Sequence, residues 1–221
     1  MNRRPYIIEM VGVAGVGKST VCEVLFQRNA RIQAAPRPSK AIYLPFLSQF
    51  VSRWLPIYLG KYRHSRWFTL NEVRLMVYLA TWLPYLRRVS FDKDITVALD
   101  PGSVHMLSAL RELGPEITQS PRYQRWWNEA LFQWAGALDA LIWLDSPDEL
   151  LLERIYGRDQ WHEALTQPRK QVLERFARLR MGHERVVAAM TACSSTKVLR
   201  FRTDQISPEQ VADKVLAVIE V

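Results

Sequence analysis

The sequence predicts a parallel α/β domain with helices on both faces of its sheet. Three observations carry this. Short β-branched apolar runs alternate with longer helical patterns. A glycine-rich loop joins the first run to the first helix. Across 221 residues no internal repeat, low-complexity tract or Gly/Ser linker divides the chain, so one domain over 1–221 is expected.

In chain order, Tyr6–Val11 is an apolar run short enough for a buried strand, and Ser19–Arg28 places Val21, Cys22, Val24 and Leu25 at helical spacing. Residues 41–90 offer no strand and read as two helices, an insertion over the carboxyl ends of the strands, where open α/β sheets bind ligands. Ile95–Leu99 is a second strand, closed by the turn Asp100-Pro101-Gly102 and followed by a helix over Ser103–Leu113. Ala140–Leu144 is a third, closed by Asp145-Ser146-Pro147-Asp148, with a helix over Pro147–Tyr156. A long helix spans Arg169–Met190, Lys197–Phe201 is a fourth and weaker strand, and a last helix covers Pro208–Ile219 behind Ser207 as N-cap.

Composition narrows the class. Hydrophobic residues at 48% and charged residues at 24% exclude intrinsic disorder. Two cysteines, Cys22 and Cys193, exclude a disulfide scaffold, and without paired CxxC motifs no zinc site is expected. A reducing, cytoplasmic setting is the expectation. The run Met1-Asn2-Arg3-Arg4-Pro5 leads into residues broken by Glu9 and glycines, so no secretory leader is expected. The window Ala41–Gly60 is interrupted by Pro45, Gln49, Arg53 and Pro56 and does not read as a transmembrane helix, although an interfacial role stays open for it. The net charge of +8 suits polyanionic ligands, and the block Arg53–Asp94 supplies +5 of it.

Gly12-Val13-Ala14-Gly15-Val16-Gly17-Lys18-Ser19 fits GxxxxGK[ST] at each fixed position, between an apolar strand and a helix. Such a phosphate-binding loop (P-loop) turns backbone N–H groups toward phosphate oxygens, and the following helix N-terminus adds its dipole. ATP and Mg²⁺ are therefore the expected ligands, held by Gly12–Thr20. Lys18 would reach the β- and γ-phosphates, and the Ser19 hydroxyl would ligate Mg²⁺. NKxD and DxxG segments, an Asp-Glu strand end and an LSGGQ-like signature are all missing from the sequence, which leaves the small kinase branch. Asp100, at a strand end, would hold a Mg²⁺-bound water or accept a proton from the attacking oxygen; capping the next helix is the plain alternative. Arg154 and Arg158 form RxxxR on one helix face, suited to a migrating phosphoryl group but also to a solvated surface.

The loop, the strand ending in Asp100, and Leu141–Pro147 leading to Arg154 and Arg158 together resemble the thymidylate kinase and deoxynucleoside kinase group of P-loop kinases. The resemblance implies a three-layer P-loop NTPase fold with a five-stranded parallel sheet, a helical acceptor-side insertion and a LID over about 154–170. It also implies that the Asp100 carboxylate sits beside the phosphoryl acceptor and that the Thr203-Asp204-Gln205 loop lies near the adenine. The sequence departs from thymidylate kinases in having Pro101-Gly102 after Asp100 rather than Arg, and Ala14 where an acidic residue is common. No nucleobase-binding pattern is recognisable between Ala30 and Ser90.

Arg63, Arg66, Trp67 and Arg74 are the acceptor-binding candidates, against the plainer reading of core aromatics and solvated arginines. Trp126, Trp127 and Trp134 read as packing, and His105 and His183 as helix-surface residues. The expected function is transfer of the ATP γ-phosphoryl group to a nucleoside- or nucleotide-like, or otherwise hydroxylated, small molecule. A polynucleotide 5′-hydroxyl kinase and a slow ATP-binding regulatory or assembly module are the alternatives. Nucleic acid is a less favoured partner, and self-association as a homodimer stays open.

Overall fold

The computed structural model describes residues 4–37, 43–89, 95–157 and 166–219. Arg158 and the middle of the expected LID, 158–165, lie outside the described residues. Five parallel strands run in the order β2-β3-β1-β4-β5: β1 (Tyr6–Val11), β2 (Ile32–Ala34), β3 (Thr96–Leu99), β4 (Ala140–Asp145) and β5 (Lys197–Arg202). Among the described residues eight α-helices surround them: α1 (Lys18–Arg28), α2 (Tyr43–Ile57), α3 (Leu70–Arg88), α4 (Ser103–Glu112), α5 (Pro121–Ala135), α6 (Asp148–Tyr156), α7 (Arg169–Cys193) and α8 (Pro208–Ile219).

Alternation along the central strands assigns each side chain to one of two cores. Ile7, Val11, Val97, Leu99, Leu141 and Trp143 face a large aromatic-rich core built with α2, α3, α4, α5 and the second half of α7. Ile8, Met10, Ala98, Ile142 and Leu144 face a smaller aliphatic core with α1, α6, α8 and the first half of α7. The central strands are thus buried on both sides, as parallel strands under helical layers must be. α7 serves both cores, and Gly182 lets it approach α4: a Cβ there would lie 2.8 Å from Cγ of Glu112 and 3.0 Å from Cβ of Ser108.

The insertion contains the two expected helices. A π-helical turn, Tyr58–Tyr62, closes α2, and α3 starts with a reciprocal cap in which the Thr69 side chain accepts from Glu72 N while Glu72 Oε2 accepts from Thr69 N. Two elements go beyond the residue-level expectation. β2 has three residues, too few for a periodic signal, and it supplies the fifth strand implied by the family resemblance. α5, capped by Ser120 with Pro121 at its first position, carries the Trp126, Trp127 and Trp134 cluster into the aromatic core.

Trp134 is almost fully buried, and its indole N–H donates to the Leu79 carbonyl at 3.1 Å. Trp134→Ala is expected to cost about 3–5 kcal/mol in urea denaturation. Trp134→Phe, which keeps most of the volume and loses the hydrogen bond, should cost about 1–2 kcal/mol.

Candidate functional site

The glycine-rich loop leaves β1 at Gly12, whose φ of +147° belongs to the region that glycine tolerates. A Cβ there would also sit 2.5 Å from the Leu144 carbonyl oxygen at the end of β4, so the loop is pressed onto the sheet. Val13 and Val16 are buried and pin the loop from below. Its polar side turns to the start of α1, whose first turn has no acidic residue to compete with an anion. The Lys18 ammonium group lies over the loop and donates to the Gly12 carbonyl at 2.9 Å and the Val13 carbonyl at 3.0 Å. The Ser19 hydroxyl donates to Oδ2 of Asp100 at 3.1 Å, bringing together two residues that are 81 positions apart in the chain.

Asp100 follows β3 directly and is joined to Pro101 by a cis peptide bond. Its turn is held by a residue that sequence reasoning missed. Glu9 lies in the middle of β1, fully buried on the face that meets α4. Its Oε2 accepts from the Ser103 hydroxyl at 2.8 Å and its Oε1 from Val104 N at 2.7 Å. Gly102, the N-cap of α4, has no side chain to cap the helix, and Glu9 does so from the sheet. The approach is close enough that a Cβ on Gly102 would lie 2.3 Å from the Glu9 carboxyl carbon. Burial pushes the Glu9 carboxyl up to about 7, against hydrogen bonds from Ser103 and Val104 that favour its ionised form. A charged residue inside YIIEMV was the available sequence signal.

Both histidines depart from the surface placement expected of them. His105 occupies the first turn of α4, half-buried beside the glycine-rich loop. His183 follows Gly182 into the tight α4–α7 contact and is fully enclosed, its ring 5.8 Å from that of His105 and 6.0 Å from Trp143. Neither His183 ring nitrogen has a hydrogen-bond partner among the described residues. Burial, then Lys18 and Arg175, lower the His105 pKa to about 4; burial, then His105, lower that of His183 to about 3. Both rings are neutral at pH 7.

Three clefts meet at the loop. The first, about 260 Å³, is lined by Gly12, Lys18, Asp100, His105 and, from α7, Arg175 and Phe176. The second, about 510 Å³, lies on the other side of the loop, among Gly15, Gly17, Thr20, Arg154, Thr203 and Val211. The third, about 230 Å³, lies between Ser19, Glu23, Arg37, Trp82 and Asp100. Asp100 is the residue shared by the first and third.

The remaining sequence candidates are distributed unevenly. Arg154 lines the second cleft rather than the first and donates to Thr203 Oγ1 at 3.1 Å and its carbonyl at 2.9 Å. Of the 203–205 loop, Thr203 thus reaches this cleft, and Asp204 pairs with Arg202. Arg63, Arg66, Trp67 and Arg74 line none of the three clefts. Arg66 makes a two-toothed ion pair with Glu72, at 2.7 and 2.8 Å, and donates to the Leu113 carbonyl at 2.6 Å, tying α3 to the end of α4. Trp67 packs edge-on against Phe50, Tyr58 and Phe68. Arg74 lies over the Tyr78 ring on its own helix, and Arg63 is exposed beside His64.

The buried titrations oppose one another in their pH dependence. Glu9 stabilises the fold fully below about pH 4.5 and loses that contribution as pH rises through about 7. The histidines contribute fully above about pH 6.5 and lose their share as pH falls toward 4 and 3. Thermal melts should therefore show stability rising from about pH 4 to a plateau near pH 7, and Glu9→Gln should steepen the rise between about pH 4.5 and 6.5 by removing the opposing contribution. Gly102→Ala is expected to lower stability by about 2–4 kcal/mol, because its methyl group displaces the Glu9 carboxyl.

No family model and no curated protein matches the sequence. Solved structures do. The chain is similar to a deoxyadenosine kinase from M. mycoides with bound dCTP, at TM-score 0.58 and 13% identity over 97% of this chain and 100% of that one. The same kinase with bound dATP gives TM-score 0.58 at 13% identity over the same shares, 97% and 100%. Its complex with the products dCMP and a flexible dCDP gives 0.57 at 13% identity, over 97% and 98%. With the parallel order β2-β3-β1-β4-β5 and the loop after β1, this likeness establishes the fold as the three-layer α/β fold of P-loop kinases.

Proposed function

We propose that the protein is an ATP- and Mg²⁺-dependent phosphotransferase whose acceptor is a hydroxyl group on a nucleoside-like or other small molecule. The observation that carries this is the Ser19–Asp100 hydrogen bond at the mouth of the phosphate loop, with Asp100 facing two clefts. The similarity to a kinase holding dATP and dCTP supports a nucleotide as the other ligand.

In this reading the loop amides and Lys18 grip the β- and γ-phosphates, Lys18 exchanging part of its bonding to the Gly12 and Val13 carbonyls for phosphate oxygens. The nucleoside end of ATP occupies the second cleft, where Arg154 and Thr203 form one wall. The acceptor body enters the third cleft, against Trp82 and Arg37, with its hydroxyl at Asp100. That hydroxyl's proton passes to Asp100 as its oxygen bonds to the γ-phosphorus and the bond to the bridging oxygen breaks, leaving ADP. Arg175, on the first cleft, faces the charge spread over the migrating group, and the neutral His105 ring adds no cation that would compete for Asp100. Arg158 is proposed to join this set from the LID.

The residues fit Mg²⁺: a hydroxyl and a carboxylate oxygen, both hard donors, stand 3.1 Å apart where the β- and γ-phosphates would lie. When bound, the ion would neutralise phosphate charge and fix the geometry of the γ-group.

ADP release measured with ATP and Mg²⁺ against deoxynucleosides, nucleosides, nucleoside monophosphates, sugars and a 5′-hydroxyl oligonucleotide tests the proposal. Acceptor-dependent turnover by a member of the small-molecule set is expected. Lys18→Ala should lower kcat/KM about 10²–10³-fold. Asp100→Asn should lower kcat about as much while leaving ATP affinity within a few-fold. ATP binding without transfer to any acceptor would overturn the reading in favour of a regulatory module.

A further inference from the structure

The geometry points to a peripheral membrane-binding surface on α2, built to rest on an anionic bilayer. Helix α2 is apolar on two sides. Its inner side carries Phe50 and Trp54, both buried in the aromatic core. On its outer side Leu47, Val51, Leu55 and Leu59 are 40%, 47%, 38% and 57% exposed. Their spacing of four residues makes one continuous ridge that runs through α2 into the π-helical turn. The hydroxyls interspersed along this side turn inward: Ser48 donates to the Pro45 carbonyl at 2.9 Å and Ser52 to the Gln49 carbonyl at 3.0 Å. Their donors are thus spent on the helix itself, which makes the outer face less polar than its sequence suggests.

Charge selects the occupant. From Val24 to Asn71 the sequence has no Asp or Glu and eight Lys and Arg residues. Two of these, Lys61 and Arg63, are exposed where the ridge ends. A second copy docked ridge to ridge would bring these cations together with no acid in the segment to meet them. A nucleic acid would pair with the cations and leave the leucines in water. An anionic bilayer satisfies both, taking the apolar ridge at the headgroup boundary and the cations among lipid phosphates and carboxylates. None of the described helices is long and apolar enough to cross a membrane, so the contact is peripheral.

The inference is independent of the reaction proposed above, and it is tested by co-sedimentation of the full chain with vesicles. Vesicles of phosphatidylcholine containing about 30% phosphatidylserine should bind the protein, and pure phosphatidylcholine should not. Raising salt from about 0.1 to 0.5 M should weaken binding. Leu55→Asp with Leu59→Asp should reduce the bound fraction at least about tenfold at an unchanged melting temperature. Lys61→Glu, at an exposed position that packs on no core, should lower the anionic preference by itself. Equal binding to neutral and anionic vesicles, no binding, or normal binding by the variants would overturn the inference. So would sedimentation equilibrium showing a dimer of the free protein that Leu55→Asp dissociates, since the ridge would then belong to a second copy.

Discussion

The carboxyl group of Glu9 lies inside the layer between sheet and helices, where an ionised side chain is costly to bury, and two hydrogen bonds to the first turn of α4 compensate for it. Much of the site's geometry follows from this contact. β1 leads directly into the glycine-rich loop at Gly12, and α4 follows immediately on the Asp100 turn. A tie between the middle of β1 and the start of α4 therefore fixes the distance between the loop and the Asp100 carboxylate that accepts from Ser19. Gly102 is small because Glu9 occupies the space a side chain would need. The cap also sets the direction of α4, which aims His105 toward Lys18 and Asp100 and lays its next turns against Gly182 of α7.

The parallel sheet adds a second constraint. All five strands end on one side, so the loop after β1, Asp100 after β3 and the Asp145–Pro147 turn after β4 are neighbours by topology rather than by sequence. Arg180 of α7 locks the last of these turns, bonding Asp145, Asp148 and the Ser146 carbonyl. α7 consequently forms a wall of the first cleft with a fixed relation to the sheet. Arg175, five residues earlier on the same helix, shares that rigidity.

What the sequence revealed, and what it hid, divides along the range of the interactions. The loop Gly12–Ser19, the strand end at Asp100 and the helix Pro208–Ile219 are local patterns, and each sits where its residues suggest. β2 is too short for periodicity and exists because it pairs with β3. Glu9 and His183 owe their roles to contacts about ninety and eighty residues away, with α4 in both cases, which no local window contains. Arg66 and Trp67 have the residue types of a ligand pocket, yet their partners are Glu72, the Leu113 carbonyl and three aromatic rings. A basic aromatic stretch reads alike whether it holds a ligand or another part of the chain.

The fate of that stretch sharpens the view of the acceptor. With Arg66 bound to Glu72 and Trp67 within a cluster of rings, the insertion offers the clefts beside Asp100 chiefly Trp82, whose indole N–H is already given to the Pro36 carbonyl at 2.9 Å. Trp82, almost fully buried against Tyr78 and Trp134, therefore gives the cleft a small apolar edge and no free donor. The polar groups beside it are Arg37 and Glu23, one of each sign, on the segment after β2 and on α1. A cleft with one cation and one anion suits an uncharged or zwitterionic molecule better than a polyanion, whose phosphates Glu23 would repel. Under the proposed reaction, this cleft would therefore hold a small acceptor by Arg37, Glu23 and one hydroxyl oriented at Asp100.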